Sequence, residues 1–214
     1  MENYYCRQFF SFVISLFGSL IKQIGGYRGG VPLKKYIVLF LVCILLGMAL
    51  SIANANDKVA EISQLVSSYN SQTESDKIAQ AVYQYSAKYE VDRRLVLAIA
   101  IQESDLRQNV VGEAQEIGIM QIKPTTGKQV SGEELLNLYD IKENIKAGVK
   151  YLRLCQQIMR EYANDYVHLL ELTATAYNRG PWRTINLLEK GVDPRNSYAA
   201  EVMGIRHRIL TGNL

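Results

Sequence analysis

The range Leu95–Ser104 restricts the fold of this chain more than any other feature, because it is a nearly all-apolar run that ends in a carboxylate. At helical spacing, Val96, Ile99 and Ala100 lie seven, four and three residues before Glu103 and therefore share its face. A helix that is apolar on most sides is normally buried. The run predicts a central helix of a mostly helical domain, with an acid at its C-terminal end.

The carboxyl group of Glu103 is expected to have a raised pKa. Burial removes water from around a carboxylate and so favours the protonated acid. The C-terminal end of a helix carries the negative end of the helix dipole, which disfavours a further negative charge there. A carboxylic acid that keeps its proton near neutral pH can serve as a general acid, the group that glycoside cleavage requires.

Charge is divided unevenly along the chain of 214 residues, whose formal net charge is +3. Of its 24 basic and 21 acidic residues, residues 1–55 hold five and one, which leaves 19 and 20 for residues 56–214. A nearly neutral domain lacks the basic face that nucleic-acid binding requires, so we expect no nucleic-acid partner.

An apolar stretch, Tyr36–Ala53, follows Lys34 and Lys35 near the N-terminus. With the small residues of Ala53-Asn54-Ala55 as a cleavage site, it resembles a signal peptide. Left uncleaved, it is just long enough to anchor the chain across a bilayer core of about 30 Å. Both interpretations leave the basic side inside and export the rest, so we expect a bacterial protein in the periplasm or facing the cell wall from the membrane.

Cap signals and helical spacing predict that the exported part is all-α. The domain limits are predicted as 1–55 for the signal peptide or anchor, 56–77 for a linker or N-terminal helix, and 78–214 for the folded domain. The predicted helices are Thr73–Tyr89 with a capping box at Thr73 and Asp76, one from Asp92 through the central run, a small one from Pro124, one opened by Ser131 and Glu134, Asp140–Tyr162, His168–Asn178, Pro181–Gly191 and Ser197–Leu210, with Gly118–Ile122 extended.

Four short motifs follow one another within this domain: Glu103-Ser104, Gly118-Ile119-Met120-Gln121, Ala176-Tyr177-Asn178 and Tyr198-Ala199. Their order and spacing resemble the SLT domain of lytic transglycosylases, which has the goose-type lysozyme fold of glycoside hydrolase family 23. The resemblance covers about residues 78–210. It implies an all-α, lysozyme-like domain with a glycan-binding cleft, preceded here by the apolar export segment.

The resemblance implies that Glu103 is the family's single catalytic glutamate. It would protonate the glycosidic oxygen between N-acetylmuramic acid and N-acetylglucosamine in peptidoglycan, and then take a proton from the muramoyl 6-hydroxyl as that oxygen attacks C1. The product would carry a 1,6-anhydro end. Glycosidases that use water need a pair of carboxylates instead. Glu113 and Glu116 in the following loop are the candidates for a second acid, so a hydrolytic muramidase stays an alternative.

The other motif residues match positions that bind the substrate or shape the cleft. Ser104 would position the substrate or the loop, although a hydroxyl at a helix end can equally cap it. Tyr177 would donate a hydrogen bond to the carboxylate of Glu103, with packing in the core as its alternative. Asn178 would bind an acetamido group, with helix termination as its alternative. The remaining matches are Gly118 for close backbone approach, Met120 and Gln121 for the cleft wall, and Tyr198 for contact with the acid or the reacting sugar.

The sequence holds no Walker-type glycine loop, His-Glu-x-x-His motif or Cys-x-x-Cys pair, so no metal or organic cofactor is expected. Trp182 stands where small residues are common in the family, and we expect it to pack at a helix start rather than to stack on a sugar. The expected partner is peptidoglycan, with membrane contact only through the N-terminal segment. A secretion or conjugation apparatus is a further candidate partner. A wall-binding role in such an assembly, without turnover, is an alternative function.

Overall fold

A computed structural model describes residues 15, 18–19, 33–69, 71–132 and 136–213. Over these ranges the secondary structure is helical, apart from isolated β-bridges that join Ile117 to Val111 and to Ile122. The prediction of an all-α chain is confirmed. The long helices are α1 (Leu33–Val66), α2 (Gln72–Tyr89), α3 (Arg93–Ser104), α4 (Pro124–Ser131), α5 (Ile141–Met159), α6 (Tyr166–Arg179), α7 (Pro181–Glu189) and α8 (Ser197–Thr211).

Helix α3 forms the centre of the core, as its sequence predicts. Every side chain from Leu95 to Ile101 is buried, and α3 packs against both α2 and α8. Its first turn is capped by Asp92, whose carboxylate accepts a hydrogen bond from the backbone N–H of Arg94 at 2.8 Å. The cap satisfies one of the backbone donors that a helix start leaves without an intrahelical partner.

Polar pairs join α3 to α8 along their length. The Arg206 guanidinium Nε lies 3.0 Å from an Asp92 carboxylate oxygen at the start of α3. Near the other end, the Gln102 amide donates to Glu201 at 2.7 Å. Because early residues of α3 meet late residues of α8, the two helices run antiparallel, and the C-terminal turn of α3 faces the first turns of α8.

Replacing Arg206 by methionine should destabilise the fold by about 2 kcal/mol, because it leaves the Asp92 charge largely buried without its ionic partner. The side chains of the pair are only 16% and 10% exposed. The change is measured as a shift in the urea unfolding midpoint. Arg195→Met is the control, since Arg195 pairs with Glu171 and Asp193 at the surface and its loss should matter less. Equal shifts would contradict the expectation.

Two predicted capping boxes are wrong. Helix α2 begins one residue after Ser71, whose hydroxyl donates to the Glu74 carboxylate at 3.2 Å, rather than at a cap formed by Thr73. The Asp76 carboxylate instead accepts a hydrogen bond from Ser63 at 2.6 Å. Ser131 ends α4 and donates back to the Gly127 carbonyl at 2.7 Å, so it opens no helix, and Glu134 lies outside the described residues.

The extended segment predicted at Gly118–Ile122 is also wrong. Residues 118–121 form a tight turn that the bridge between Ile117 and Ile122 closes. Gly118 and Gln121 have φ angles of +76° and +46°, in the left-handed region that a strand does not use. The apolar residues within the turn are buried by its closure, which is why their pattern mimics that of a buried strand.

The chain divides into two compact units, one ending at Asp57 and one covering Lys58–Leu214. The part of α1 in the first unit exposes apolar side chains such as Leu45 and Leu50. The range Phe40–Val66 is long and apolar enough to cross a membrane by length and composition. The end of α1 in the second unit contributes Ile62 and Val66 to the core of that unit, together with helices α2–α8.

Candidate active site

Glu103 lies on the last turn of α3, and its side chain is partly buried. Its carboxylate oxygen Oε1 accepts a hydrogen bond of 2.6 Å from the hydroxyl of Tyr198, on the first turn of α8. The antiparallel packing of α3 and α8 therefore brings together the first and fourth sequence motifs, which are 95 residues apart. Two roles were expected for Tyr198, contact with the acid or with the reacting sugar, and the structure shows the contact with the acid.

Burial raises the pKa of Glu103 to about 7, because the charged form loses its hydration. The hydrogen bond from Tyr198 favours the ionised carboxylate and opposes this rise, whereas the negative charge of Glu116 adds to it. The predicted elevation is confirmed, and it places the carboxyl group where it can both give and accept a proton near neutral pH. Burial also raises the pKa of Tyr198 well above its usual value, so its hydroxyl stays a donor.

Replacing Tyr198 by phenylalanine should raise the pKa of Glu103 further, because the hydrogen bond that stabilises the ionised form is lost. The side-chain carboxyl carbon of Glu103 can be followed by NMR as the pH is varied. Tyr177→Phe is the matched control, since the Tyr177 hydroxyl bonds elsewhere and its removal should move the titration less. A titration of Glu103 that is equal in both variants would contradict the assignment.

The turn at residues 118–121 is held by side chains from two helices. The hydroxyl of Ser104, which is buried, donates to the Ile119 carbonyl at 2.8 Å. The hydroxyl of Tyr177 on α6 donates to the Met120 carbonyl, also at 2.8 Å. The expected bond from Tyr177 to Glu103 is therefore a wrong detail, and Tyr177 is a buried residue that fixes the turn. Ser104 joins α3, the helix of Glu103, to the same turn, in agreement with its expected role of positioning the loop.

Asn144 on α5 is a third support of the turn, a role that the sequence motifs did not predict. It is buried, and its Oδ1 accepts a hydrogen bond from the Met120 N–H at 2.8 Å. Its Nδ2 donates to the carbonyls of Ile117 at 2.7 Å and Leu138 at 2.9 Å. The sequence contained one signal for this role, an amide within the apolar face of a helix, because a buried amide must have hydrogen-bond partners. Its partners could not be read from the sequence because they lie 6 to 27 residues away.

Two glycines let the turn pack against α5. A Cβ at Gly118 would lie 2.8 Å from the Leu138 carbonyl oxygen and would also overlap the Asn144 amide. A Cβ at Gly148 would overlap Met120, 2.8 Å from its Cβ. Met120 is consequently 0% exposed. Its expected place on the cleft wall is wrong in this structure, because its side chain packs beneath the turn.

Gln121 and Asn178 occupy different positions from the buried supports. The Gln121 side-chain Nε2 donates to the carbonyls of Gly118 at 2.9 Å and Val110 at 3.2 Å. The second bond joins the turn to the preceding loop. Asn178 is exposed near the end of α6, and its Oδ1 accepts a hydrogen bond from the Asn196 amide at 3.1 Å. Helix α6 ends one residue later, at Arg179, and the exposed Asn178 side chain is accessible to a ligand.

The carboxylate of Glu116 is bound within its own loop. It accepts a hydrogen bond from the Ala114 N–H at 3.0 Å and lies 3.3 Å from the Lys123 ammonium. Burial acts to raise the pKa of Glu116, but these donors outweigh it and the net pKa is lowered. Glu113 in the same loop is exposed. Glu116 thus stays ionised, with its oxygens occupied by neighbouring donors.

Within the described ranges, no three or more His, Cys, Asp or Glu residues come together in a metal-binding arrangement. Across the same ranges, every buried side-chain nitrogen and oxygen has a hydrogen-bond partner. The side chains that support the turn, Ser104, Asn144 and Tyr177, are therefore hydrogen-bonded within the protein itself.

Comparison with known proteins gives a match to the family model described as "Transglycosylase SLT domain", over residues 80–196. That range is more than half of the chain. The chain belongs to this family. The SLT match contains the acid, the turn and the α6 motif, and it ends just before Tyr198 and its helix.

Named relatives and solved structures agree with the SLT family. The chain is 30% identical over 162 residues to membrane-bound lytic murein transglycosylase E of Buchnera aphidicola, covering 70% of this chain and 73% of that protein. It is 34% identical over 107 residues to membrane-bound lytic murein transglycosylase C of Salmonella typhimurium, covering 46% of this chain and 30% of that protein. The fold resembles the 70 kDa soluble lytic transglycosylase from Escherichia coli, with a TM-score of 0.50 and 22% identity over 63% of this chain and 24% of that one.

Proposed function

We propose that this SLT-domain protein is a peptidoglycan lytic transglycosylase. It cleaves the β-1,4 bond between N-acetylmuramic acid and N-acetylglucosamine and leaves a 1,6-anhydromuramic acid end. The observation that carries the proposal is the partly buried carboxyl group of Glu103, with a pKa of about 7, held by Tyr198 beside the turn at residues 118–121. The names of the relatives, lytic murein transglycosylases, support the same reaction.

The proposed reaction needs one carboxyl group in two protonation states. Glu103 gives its proton to the glycosidic oxygen as the bond from that oxygen to C1 breaks. The ionised carboxylate then takes the proton of the muramoyl 6-hydroxyl as that oxygen forms its bond to C1. No water is consumed, and the atoms of the substrate are shared between the two products. A pKa near 7 suits both steps, because neither protonation state is strongly disfavoured at neutral pH.

The surroundings of Glu116 favour this reaction over hydrolysis. An inverting glycosidase needs a second carboxylate that activates water, and a retaining one needs a carboxylate that attacks the sugar. Glu116 is engaged by Lys123 and the Ala114 N–H, which reduces its basicity and its freedom to approach a substrate. A hydrolytic muramidase remains the second candidate, with Glu113 or Glu116 as its base.

The remaining motif residues are proposed to build the substrate site around Glu103. Ser104, Gly118, Met120 and Tyr177 fix the turn, and Gln121 fixes the loop before it. Tyr198 orients the acid. Asn178 is accessible and is proposed to bind an acetamido group of the glycan.

Mass spectrometry of the fragments released from purified sacculi tests the reaction. Fragments that end in 1,6-anhydromuramic acid support a lytic transglycosylase. Reducing ends that incorporate oxygen from ¹⁸O-labelled water would replace the proposal by the hydrolytic alternative. Binding of sacculi with no fragments released would favour a wall-binding accessory component.

We also propose a place at the cell envelope. The apolar range Phe40–Val66 and the words "membrane-bound" in the relatives' names support export with an N-terminal anchor. The residues of the candidate cleavage site, Ala53-Asn54-Ala55, are helical within α1. N-terminal sequencing of the mature protein distinguishes an uncleaved anchor from a chain that begins after Ala55. Service to a secretion or conjugation apparatus stays a prediction, alongside general wall turnover.

A further inference from the structure

The indole of Trp182 is exposed to solvent, against the expectation that it packs at a helix start. It is the second residue of α7, and 73% of its surface is accessible. Tryptophan is highly buried on average in folded proteins. An indole exposed to water can therefore gain free energy when a ligand covers it.

The backbone beneath Trp182 is well fixed. Gly180 has a φ of +88°, which permits the sharp change of direction between α6 and α7. Pro181 is buried at the first position of α7, and the Thr184 hydroxyl donates to the Gly180 carbonyl at 2.9 Å. The indole thus stands on an anchored first turn, so its exposure is a property of the fold.

The chain path places Trp182 near the acid. Asn178, four residues earlier, is bonded to Asn196, and Asn196 caps α8 through the Ala199 N–H at 3.1 Å. The same first turn of α8 carries Tyr198, which bonds Glu103. Four residues of chain span at most about 14 Å. The backbone of Trp182 therefore lies within about 14 Å of Asn178, which hydrogen bonds join through Asn196 to the helix turn that carries Tyr198.

We propose that Trp182 is a stacking platform for a sugar ring of the same glycan strand, outside the bond that is cleaved. This inference rests on the proposed function. A pyranose ring has a face of C–H groups and a rim of polar groups, which suits a flat indole with exposed polar residues on the same helix. Peptidoglycan is a continuous polysaccharide, so a strand bound at Glu103 extends beyond the reacting sugars.

The surroundings of the indole fit a sugar better than a membrane or a protein partner. Arg183 and Asn186, on the same helix, are exposed polar residues. A protein or membrane contact normally uses a contiguous apolar patch. A lone aromatic ring among polar side chains is instead the size of one sugar.

Fluorescence provides a direct test, because Trp182 is the single tryptophan of the chain. Peptide-free glycan strands, released from sacculi by an amidase, are titrated into the full-length Glu103→Gln variant, which binds without cleaving. Stacking should shift the indole emission saturably to shorter wavelength, because the sugar displaces water. Sedimentation of the strands with the protein measures binding independently. Binding without any change in emission would overturn the proposal.

Kinetics of Trp182→Ala provide the second test. Its KM for glycan strands should rise about tenfold, the loss expected for removing one aromatic contact, with kcat largely kept. Trp182→Phe should recover much of the loss. Val192→Ala, a change at a 50% exposed residue after α7, is the control. Wild-type KM in Trp182→Ala would overturn the proposal while leaving the proposed function intact. A wild-type protein that neither binds nor cleaves glycan would remove the proposed function itself, and this inference with it.

Discussion

Replacement of Glu103 by glutamine should lower kcat/KM for peptidoglycan by about 10⁴-fold, the upper end of what one positioned acid–base group contributes. Both proton transfers of the proposed reaction pass through this carboxyl group, and an amide can perform neither. The Tyr198 hydroxyl can still donate to the new side-chain carbonyl, so the geometry should be kept. Release of soluble fragments from sacculi measures the loss.

Glu116→Gln is the matched control for this activity measurement. It makes the same chemical change in the loop facing the site, yet Glu116 takes no proton in the proposed reaction. Most activity should remain. A loss as large as that of Glu103→Gln would favour the hydrolytic alternative, and wild-type turnover in Glu103→Gln would reject the assignment of the acid.

The stability of Glu103→Gln separates lost chemistry from lost folding. The pKa of Glu103 rises from 4.5, its ordinary value, to about 7 in the folded protein. Below pH 4.5 both folded and unfolded chains carry the proton, and the elevated pKa has no effect. As the pH rises to about 7 the unfolded chain ionises first, so the wild type loses stability. At pH 8 the variant should be more stable by about 3 kcal/mol, and at pH 4 nearly equal, as urea unfolding would show.

Replacement of Gly118 by alanine should destabilise the protein by about 3–4 kcal/mol, because it combines backbone strain with overlap in a packed site. The residue has a φ of +76°. Its new Cβ would lie 2.8 Å from the carbonyl oxygen of Leu138, a backbone atom that cannot rotate away. The turn would also be pushed off Asn144, so the acid's surroundings and the activity should change as well.

Gly132→Ala isolates the backbone part of this effect. Gly132 has nearly the same φ, +72°, and, chain neighbours apart, no heavy atom of the described residues lies within 4 Å of the position its Cβ would take. It should cost only about 1 kcal/mol, the strain of a left-handed conformation for a residue with a Cβ. Thermal unfolding of both variants gives the comparison. Equal losses would mean that the close approach of the turn to α5 contributes nothing.

The sequence was most informative where local chemistry decides the structure. Asp92 and Asp140 cap α3 and α5 as expected, because a cap involves neighbouring residues only. The buried run before Glu103 predicted both the central helix and the raised pKa. The predicted cap at Thr73 and Asp76 failed at α2, because the helix begins after Ser71, and Ser71-x-x-Glu74 matches the same pattern two residues earlier.

Predictions failed where the outcome depends on partners distant in the chain. Tyr177 and Tyr198 are both tyrosines on helices, and their motifs leave open which hydroxyl reaches Glu103. The crossing of α8 over α3 decides it in favour of Tyr198. Met120 matched a cleft-wall position, but Gly148 on α5 leaves a gap that its side chain fills. Neither relation is contained in a local pattern.

The hydrogen bonds made by the polar side chains that support the turn have a consequence for turnover. Ser104, Asn144 and Tyr177 each hydrogen-bond to the backbone of the turn, so these three side chains are engaged there rather than in passing a proton to Glu103. The proposed reaction has no use for such a relay. The proton that Glu103 gives to the departing sugar is replaced by the proton of the muramoyl 6-hydroxyl in the same reaction. The carboxyl group is therefore protonated again when the products leave, and no proton from solvent is needed for the next cleavage.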